Sequence, residues 1–343
     1  MSLTYNEIKN TPEALKKTMQ CIEQNWQSIS SFLDGKKRFV FLGCGSSYSL
    51  ARSMAVMTYM HTGLPATALT AGDVLLHAPR YVNVIGEAAV ICISRSGQTS
   101  EMNMALDAIK VFDPHVFSLI CADDTPLEER SEISINMPWA YDNSVCQTRT
   151  VTNFYFVAAY ILAKYLDNPV IMEDLLHFTD NCDEFLAGIE EISRKIADKP
   201  WTHAVVVADA ELEGIADEAA LAYKEICQLP SNYYHLLDSR HGPVVIFNKE
   251  TLLLAALGTK DKLEIGYLTD MSKKEAIIIA FSDEPIDIPG VTSISYGRKL
   301  SHIVLGLPFI MLNQLISYYK ADYTGADPDR PSGLSAWISL DSK

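Results

Sequence analysis

The stretch RFVFLGCGSSY, residues 38–48, decides the fold. Its apolar run, Arg38 to Leu42, is short, follows two lysines and stops at a glycine. A run of that length bounded by charge and glycine reads as a buried strand. Gly43 to Ser47 is then a turn, and a helix follows to about Met60. The unit recurs in AAVICISRSGQT, residues 88–99: a strand over Ala88 to Ser94, a turn over Arg95 to Thr99, and a helix over Ser100 to Val111. Val116 to Cys121 is the next strand. Strands that alternate with helices predict a parallel sheet covered on both faces.

Working outward, Thr11 predicts a helix N-cap with Pro12 at N1, and the helix runs to about Phe32 before Gly35 ends it. Downstream, helices are predicted over Gln147 to Lys164 and Met172 to Ile196. After Pro200 the cycle restarts: strand His203 to Ala208, helix Glu211 to Gln228, strands Thr251 to Leu257 and Ala276 to Phe281, helix Ser301 to Tyr319. The halves read as a degenerate duplication at an offset of roughly 165 residues. Tyr323 to Lys343 is rich in Asp, Pro and Gly and reads as an extended tail.

The turns carry the chemistry. Gly43-Cys44-Gly45-Ser46-Ser47 opens a helix whose N-terminal N–H groups suit an anion. Tyr48 leaves the dinucleotide fingerprint G-x-G-x-x-G incomplete, and no Gly-Lys-Ser/Thr follows, so this is no Walker A loop. Ser94-Arg95-Ser96-Gly97-Gln98-Thr99 puts three hydroxyls at a second strand-to-helix junction. Capping one helix needs one hydroxyl. Strands of an open parallel sheet end at a common edge, so Gly45, Ser46, Ser47, Ser94, Ser96 and Thr99 converge on one phosphate, with Arg95 adding charge.

Composition narrows the partners. The chain has 343 residues, a two-domain length, and a net charge of −15. That charge argues against nucleic acid and anionic membrane, but not against one small anion. The longest apolar run, Ile303 to Leu312, is too short for a bilayer and holds Pro308. The N-terminus shows no signal peptide, and seven cysteines without a C-x-x-C read as reduced thiols of a cytoplasmic protein. Eight histidines without a Cys/His cluster predict no metal.

Strand–GCGSS–helix followed by strand–SRSGQT–helix resembles the sugar isomerase (SIS) domain. The resemblance extends over two tandem SIS domains, like the isomerase half of glucosamine-6-phosphate synthase and fructosamine-6-phosphate deglycases. Val145 to Arg149 (VCQTR) sits where relatives start a ligand-adjacent helix. Lys224-Glu225-Ile226 and Arg240-His241-Gly242-Pro243 match a K-E-I … [KR]-H-G-P pair, and DPDRPSGL, residues 327–334, matches the closing segment. The resemblance implies two doubly wound (flavodoxin-like) α/β domains of five parallel strands. Its organisation is a helical segment over 1–35, a phosphate-binding SIS domain over 36–168, a linker helix over 169–197, a second SIS domain over 198–322 and a tail over 323–343 closing the site.

The resemblance further implies a phosphosugar substrate, with Val145, Arg149 and Ser335 beside the ligand. It implies no metal or organic cofactor, and a homodimer, or a higher oligomer built on it, in which His241 comes from the neighbouring subunit to help open the sugar ring. By residue reading, Glu218 and Glu225 lie seven apart on one helix face with Leu221 and Ala222, so Glu225 is expected in a partly apolar pocket suited to moving a proton. The resemblance makes Glu225 the expected base between C1 and C2 of the open chain.

Two departures bear on the reaction. Ala222 and Ala336 stand where the synthase has lysines, the second an imine former. No glutaminase segment precedes the first helix. Deglycation of a fructosamine 6-phosphate is therefore preferred, with ketose/aldose isomerisation or amino-sugar-phosphate deamination as alternatives. A phosphosugar sensor is the non-enzymatic alternative, disfavoured because no basic helix-turn-helix precedes Arg38. An enzyme that has lost its activity is the third.

Overall fold

The structure, a computed structural model, describes residues 2–340. It divides into two compact units. One comprises residues 10–172 with the tail from Ser335; the other comprises the N-terminal residues through Lys9 with Glu173 to Leu334.

The chain opens with α1 (Leu3–Lys9), which belongs to the latter unit, and α2 (Thr11–Leu33). Asn10, not Thr11, is the N-cap of α2, because α1 already ends at Lys9 and Thr11 is the first helical residue. Then follow β1 (Phe39–Gly43), α3 (Ser46–Thr62), β2 (Ala66–Thr70), α4 (Ala71–His77), the single turn α5 (Val82–Ile85) and β3 (Ala89–Ser94). The unit continues through α6 (Ser100–Ile109), β4 (His115–Ile120), the single turn α7 (Pro126–Glu129), β5 (Ile133–Asn136) and α8 (Arg149–Tyr165). Its sheet is parallel throughout, in the order β2-β1-β3-β4-β5.

Every residue of β1 and β3 is buried, as central parallel strands covered on both faces must be. Val40, Leu42, Val90, Cys92 and Ile120 pack against Met102 and Leu106 of α6. Each fully buried aliphatic side chain contributes about 1.5–3 kcal/mol.

Helix α9 (Pro169–Ala197) begins in one unit and runs into the other. The second sheet comprises β6 (His203–Val207), β7 (Ser231–Tyr234), β8 (Thr251–Ala256), β9 (Ile277–Ser282) and β10 (Val291–Ser295). Between and after them lie α10 (Glu213–Glu225), α11 (Lys262–Ser272) and α12 (His302–Thr324). The order β10-β9-β8-β6-β7, read from the other edge, repeats the first sheet's order. β6 begins at His203 where β1 begins at Phe39, an offset of 164 residues. The doubly wound five-stranded sheets and the duplication are thus both present.

The strands not legible beforehand, β2, β5, β7 and β10, all lie at sheet edges, where half-exposed residues such as Ala66–Thr70 need no apolar run. Helix α12 is long and apolar enough by composition to cross a membrane, but 89% of that window is buried inside the chain. It is a core helix, and Pro308 sits within it.

Candidate active site

In the first sheet β1 and β3 are neighbours, while the chain winds toward β2 on one side and toward β4 and β5 on the other. That is the topological switch point, the crevice where doubly wound sheets take their ligands. Both hydroxyl-rich turns leave it. Gly45 has φ +53°, and a Cβ there would meet nothing within 4 Å, so the backbone faces open space. Ser46 and Ser47 start α3 and are buried. The N–H groups of Tyr48 and Ser49 both donate to the Gly45 carbonyl, at 2.8 and 3.1 Å.

The second turn is built by its own hydroxyls. Ser94 Oγ accepts from Gly97 N at 3.1 Å, and Ser96 Oγ accepts from Gln98 N at 3.2 Å. Each keeps its O–H as a donor. Gly97 has φ +61°, and a Cβ there would lie 2.5 Å from Thr125. Thr99 is the N-cap of α6 and makes no side-chain capping bond, so capping does not account for it. Instead Asn103 Nδ2 donates to the carbonyls of Gly97 and Thr99, bracing the turn from below. Burial, with the charge of Glu101 second, pushes the Cys44 thiol up to about 11. It stays neutral and adds no negative charge beside these turns.

The two arginines are placed differently from the sequence expectation. The Arg95 guanidinium does not aim its Nη groups at an anion: they donate to the carbonyls of Asp142, Ser144, Val145 and Ala336. Arg149 pairs with Asp142 at 3.6 Å and donates to the Tyr141 carbonyl. Asp142 is 1% exposed and also accepts from the N–H groups of Thr148 and Thr150, at 2.7 and 2.9 Å. Arg149 is therefore the counter-charge of a buried carboxylate that shapes the loop before α8. Val145 is half-buried and enters through its carbonyl, and Ser335 is exposed at the start of the tail. Asp142 and the Ala336 carbonyl carry no sequence signal. An acidic side chain in an irregular loop reads as solvated, and a backbone acceptor has no residue type.

Glu225 and His241 lie in the other unit from the turns. Glu225 is the last residue of α10, at the end of the macrodipole that disfavours a further negative charge. It is half-buried, whereas Glu218, one repeat earlier, is 1% exposed, so the apolar surround expected for Glu225 belongs more to Glu218. Ala222, in the lysine position, is buried. His241 follows the turn Asp238–Arg240 and is exposed. That turn is pinned by Ser239, which bonds Tyr267 at 2.8 Å, and by the Arg240–Asp270 ion pair at 3.0 Å. Anchors on both preceding residues fix the loop, and the imidazole stands on its surface.

Among the described residues no group of His, Cys, Asp and Glu has metal-site geometry, and all seven cysteines are free.

Comparison with known proteins bears on this arrangement. Residues 32–162 match the SIS domain family model. A glutamine–fructose-6-phosphate aminotransferase (isomerizing) of Wigglesworthia glossinidia brevipalpis is 24% identical over 98% of this chain, which spans 58% of that protein's length. A D-galactosamine-6-phosphate deaminase of Escherichia coli O157:H7 is 22% identical over 96% of this chain and 91% of its own. Among solved structures, a tagatose-6-phosphate ketose/aldose isomerase of Escherichia coli superposes with TM-score 0.85 and 20% identity over 99% of this chain and 96% of that one. A glucosamine-6-phosphate deaminase of Thermotoga maritima superposes with TM-score 0.84 and 22% identity over 99% and 100%. The match makes residues 32–162 similar to an SIS domain, and the same five-stranded topology is repeated after it.

Proposed function

We propose that the chain is an enzyme acting on sugar 6-phosphates, transferring a proton between C1 and C2 of the open-chain form. The observation that carries this reading is the pair of hydroxyl-rich turns side by side at the β1/β3 switch point, where Thr99 is left without a capping role. Neutral hydroxyls and two helix N-termini suit one phosphate in a chain of net charge −15.

Glu225 is the base in this reading and His241, given by a neighbouring subunit, assists ring opening. With a fructosamine 6-phosphate, Glu225 takes a proton from C1 to give an enolamine and returns it to C2, leaving an imine at C1. Water then hydrolyses the imine to an aldose 6-phosphate and the free amine. The sequence favours this deglycation because Ala222 and Ala336 supply no imine-forming lysine. Deamination of an amino-sugar 6-phosphate is the second reading, favoured by the D-galactosamine-6-phosphate deaminase that matches over 91% of its length.

The test incubates the protein with fructoselysine 6-phosphate, glucosamine 6-phosphate, galactosamine 6-phosphate, tagatose 6-phosphate, and fructose 6-phosphate with ammonia, following products by mass spectrometry. Lysine release from the first supports deglycation, and ammonia from the second or third supports deamination. Binding of all of them with turnover of none would overturn the enzyme reading in favour of a phosphosugar sensor.

A further inference from the structure

Arg95 sits inside the phosphate turn, yet its side chain works elsewhere. It is 3% exposed, a costly place for a cation unless its bonds fix something. Nη1 donates to the carbonyls of Asp142 and Ser144 at 3.3 and 2.9 Å. Nη2 donates to those of Val145 and Ala336 at 3.2 and 2.9 Å. The nearby carboxylate of Asp142 is engaged by Arg149 and two backbone N–H groups. Both Nη groups are therefore satisfied by neutral acceptors from two segments far apart in sequence, the loop over 142–145 and the tail, while Nε has no acceptor among the described residues.

Among the described residues the tail has few other ties. Trp337, Ile338 and Leu340 are 45, 49 and 44% exposed, so apolar burial holds it weakly. Two further backbone bonds of its described residues converge on Ser100, the first residue of α6. Ser100 N donates to the Ile338 carbonyl at 3.2 Å, and Leu340 N donates to Ser100 Oγ at 3.1 Å. Both are neutral, and a charge-assisted bond is roughly twice as strong. The Arg95–Ala336 bond is thus the firmest of these ties.

We propose that Arg95 is a positioning residue that fastens the C-terminal tail onto the phosphate turn, so that tail placement and sugar binding depend on it while phosphate binding does not. The sugar-binding arm rests on the phosphosugar reading above; the tail arm rests on the geometry alone.

The experiment compares wild type, Arg95→Gln, Arg95→Lys, a deletion from Ser335 onward, and the deletion combined with Arg95→Gln. Thermal melts establish folding, hydrogen exchange reads the Ser100 and Leu340 amides, and calorimetry reads inorganic phosphate and fructose 6-phosphate. In Arg95→Gln, exchange at both amides rises about tenfold. Fructose 6-phosphate affinity falls about tenfold while inorganic phosphate stays within about twofold, and the combined variant binds no worse than either single one. Arg95→Lys shows the same pattern more weakly and decides the matter should the glutamine variant not fold. Unchanged exchange overturns the proposal. So does a loss of inorganic phosphate in step with the sugar phosphate, or an additive combined variant. If wild type binds no sugar phosphate, the phosphosugar reading falls, and the exchange arm still decides Arg95.

Discussion

The residue with the sharpest assigned role is Glu225. A general base contributes about 10²–10⁴ in rate, so Glu225→Gln should lower kcat by that factor. The amide has the same shape, so fructose 6-phosphate affinity by calorimetry should stay within about threefold. Retained turnover would remove Glu225 from the base role. Gly97 gives a second test at this scale. Its φ of +61° and the 2.5 Å approach to Thr125 mean that Gly97→Ala strains the turn and pushes on a neighbour. The expected cost exceeds about 1 kcal/mol in chemical denaturation, with phosphate affinity falling because Ser94 and Ser96 shape the same turn. A variant as stable as wild type that binds phosphate normally would show that this backbone shape is dispensable. Arg95 shows why residue type alone misleads. A basic residue between two serines reads as an anion ligand, but its reach to Ala336, 241 positions away, depends on tertiary structure.

Among elements, α1 is the most conspicuous addition to the sheets of its unit. Leu3 N and Thr4 N donate to the Asp329 carboxylate, both at 2.8 Å, which caps the helix from afar. Tyr5 and Lys9 reach Glu190 on α9, at 2.5 and 3.1 Å, and Tyr319 of α12 joins them at 2.6 Å. Burial pushes the Glu190 carboxyl up, but bonds from Tyr319, Tyr5 and Lys9 outweigh it and hold the group at about 2. A depressed folded-state value stabilises the fold fully above the ordinary value of 4.5 and loses that contribution as pH falls toward 2. Melting temperature measured from pH 7 to 2 should therefore show Glu190→Gln less stable than wild type above pH 4.5, with the gap closing below it. A gap independent of pH would mean the carboxylate's charge is not what holds α1. None of this was readable beforehand. Leu3 to Lys9 is seven residues, too short for periodicity to signal a helix, and its partners lie up to 326 positions downstream. The central strands were readable because burial on both faces forces continuous apolar runs, whereas β2, β5, β7 and β10 at the edges carry no such demand.

For the whole molecule, the duplication kept the topology and altered the site. After β8, at the place matching the SRSGQT turn, the N–H groups of Gly258, Thr259 and Lys260 all donate to the carboxylate of Glu264. The corresponding turn of the second sheet is occupied by its own chain, so under the proposed function one sugar phosphate should bind per chain. The repeat was legible from pattern. The self-occupied turn was not, because Glu264 on a helix's first turn reads as an ordinary N-terminal acid. What the second half contributes in the proposed reaction is Glu225 and His241, and the exposed His241 loop suits donation to a neighbouring copy. Copies of Glu225→Gln and of His241→Ala should each be inactive alone. Mixed in equal amounts and re-associated as dimers, half would be hybrids with one intact site of two, restoring about a quarter of wild-type turnover by symmetry. A mixture as inactive as its components would place Glu225 and His241 of one chain at the same site and sink the shared arrangement. Recovery near a quarter, lost again on dilution to monomers, would fix both the pairing and the oligomer it requires.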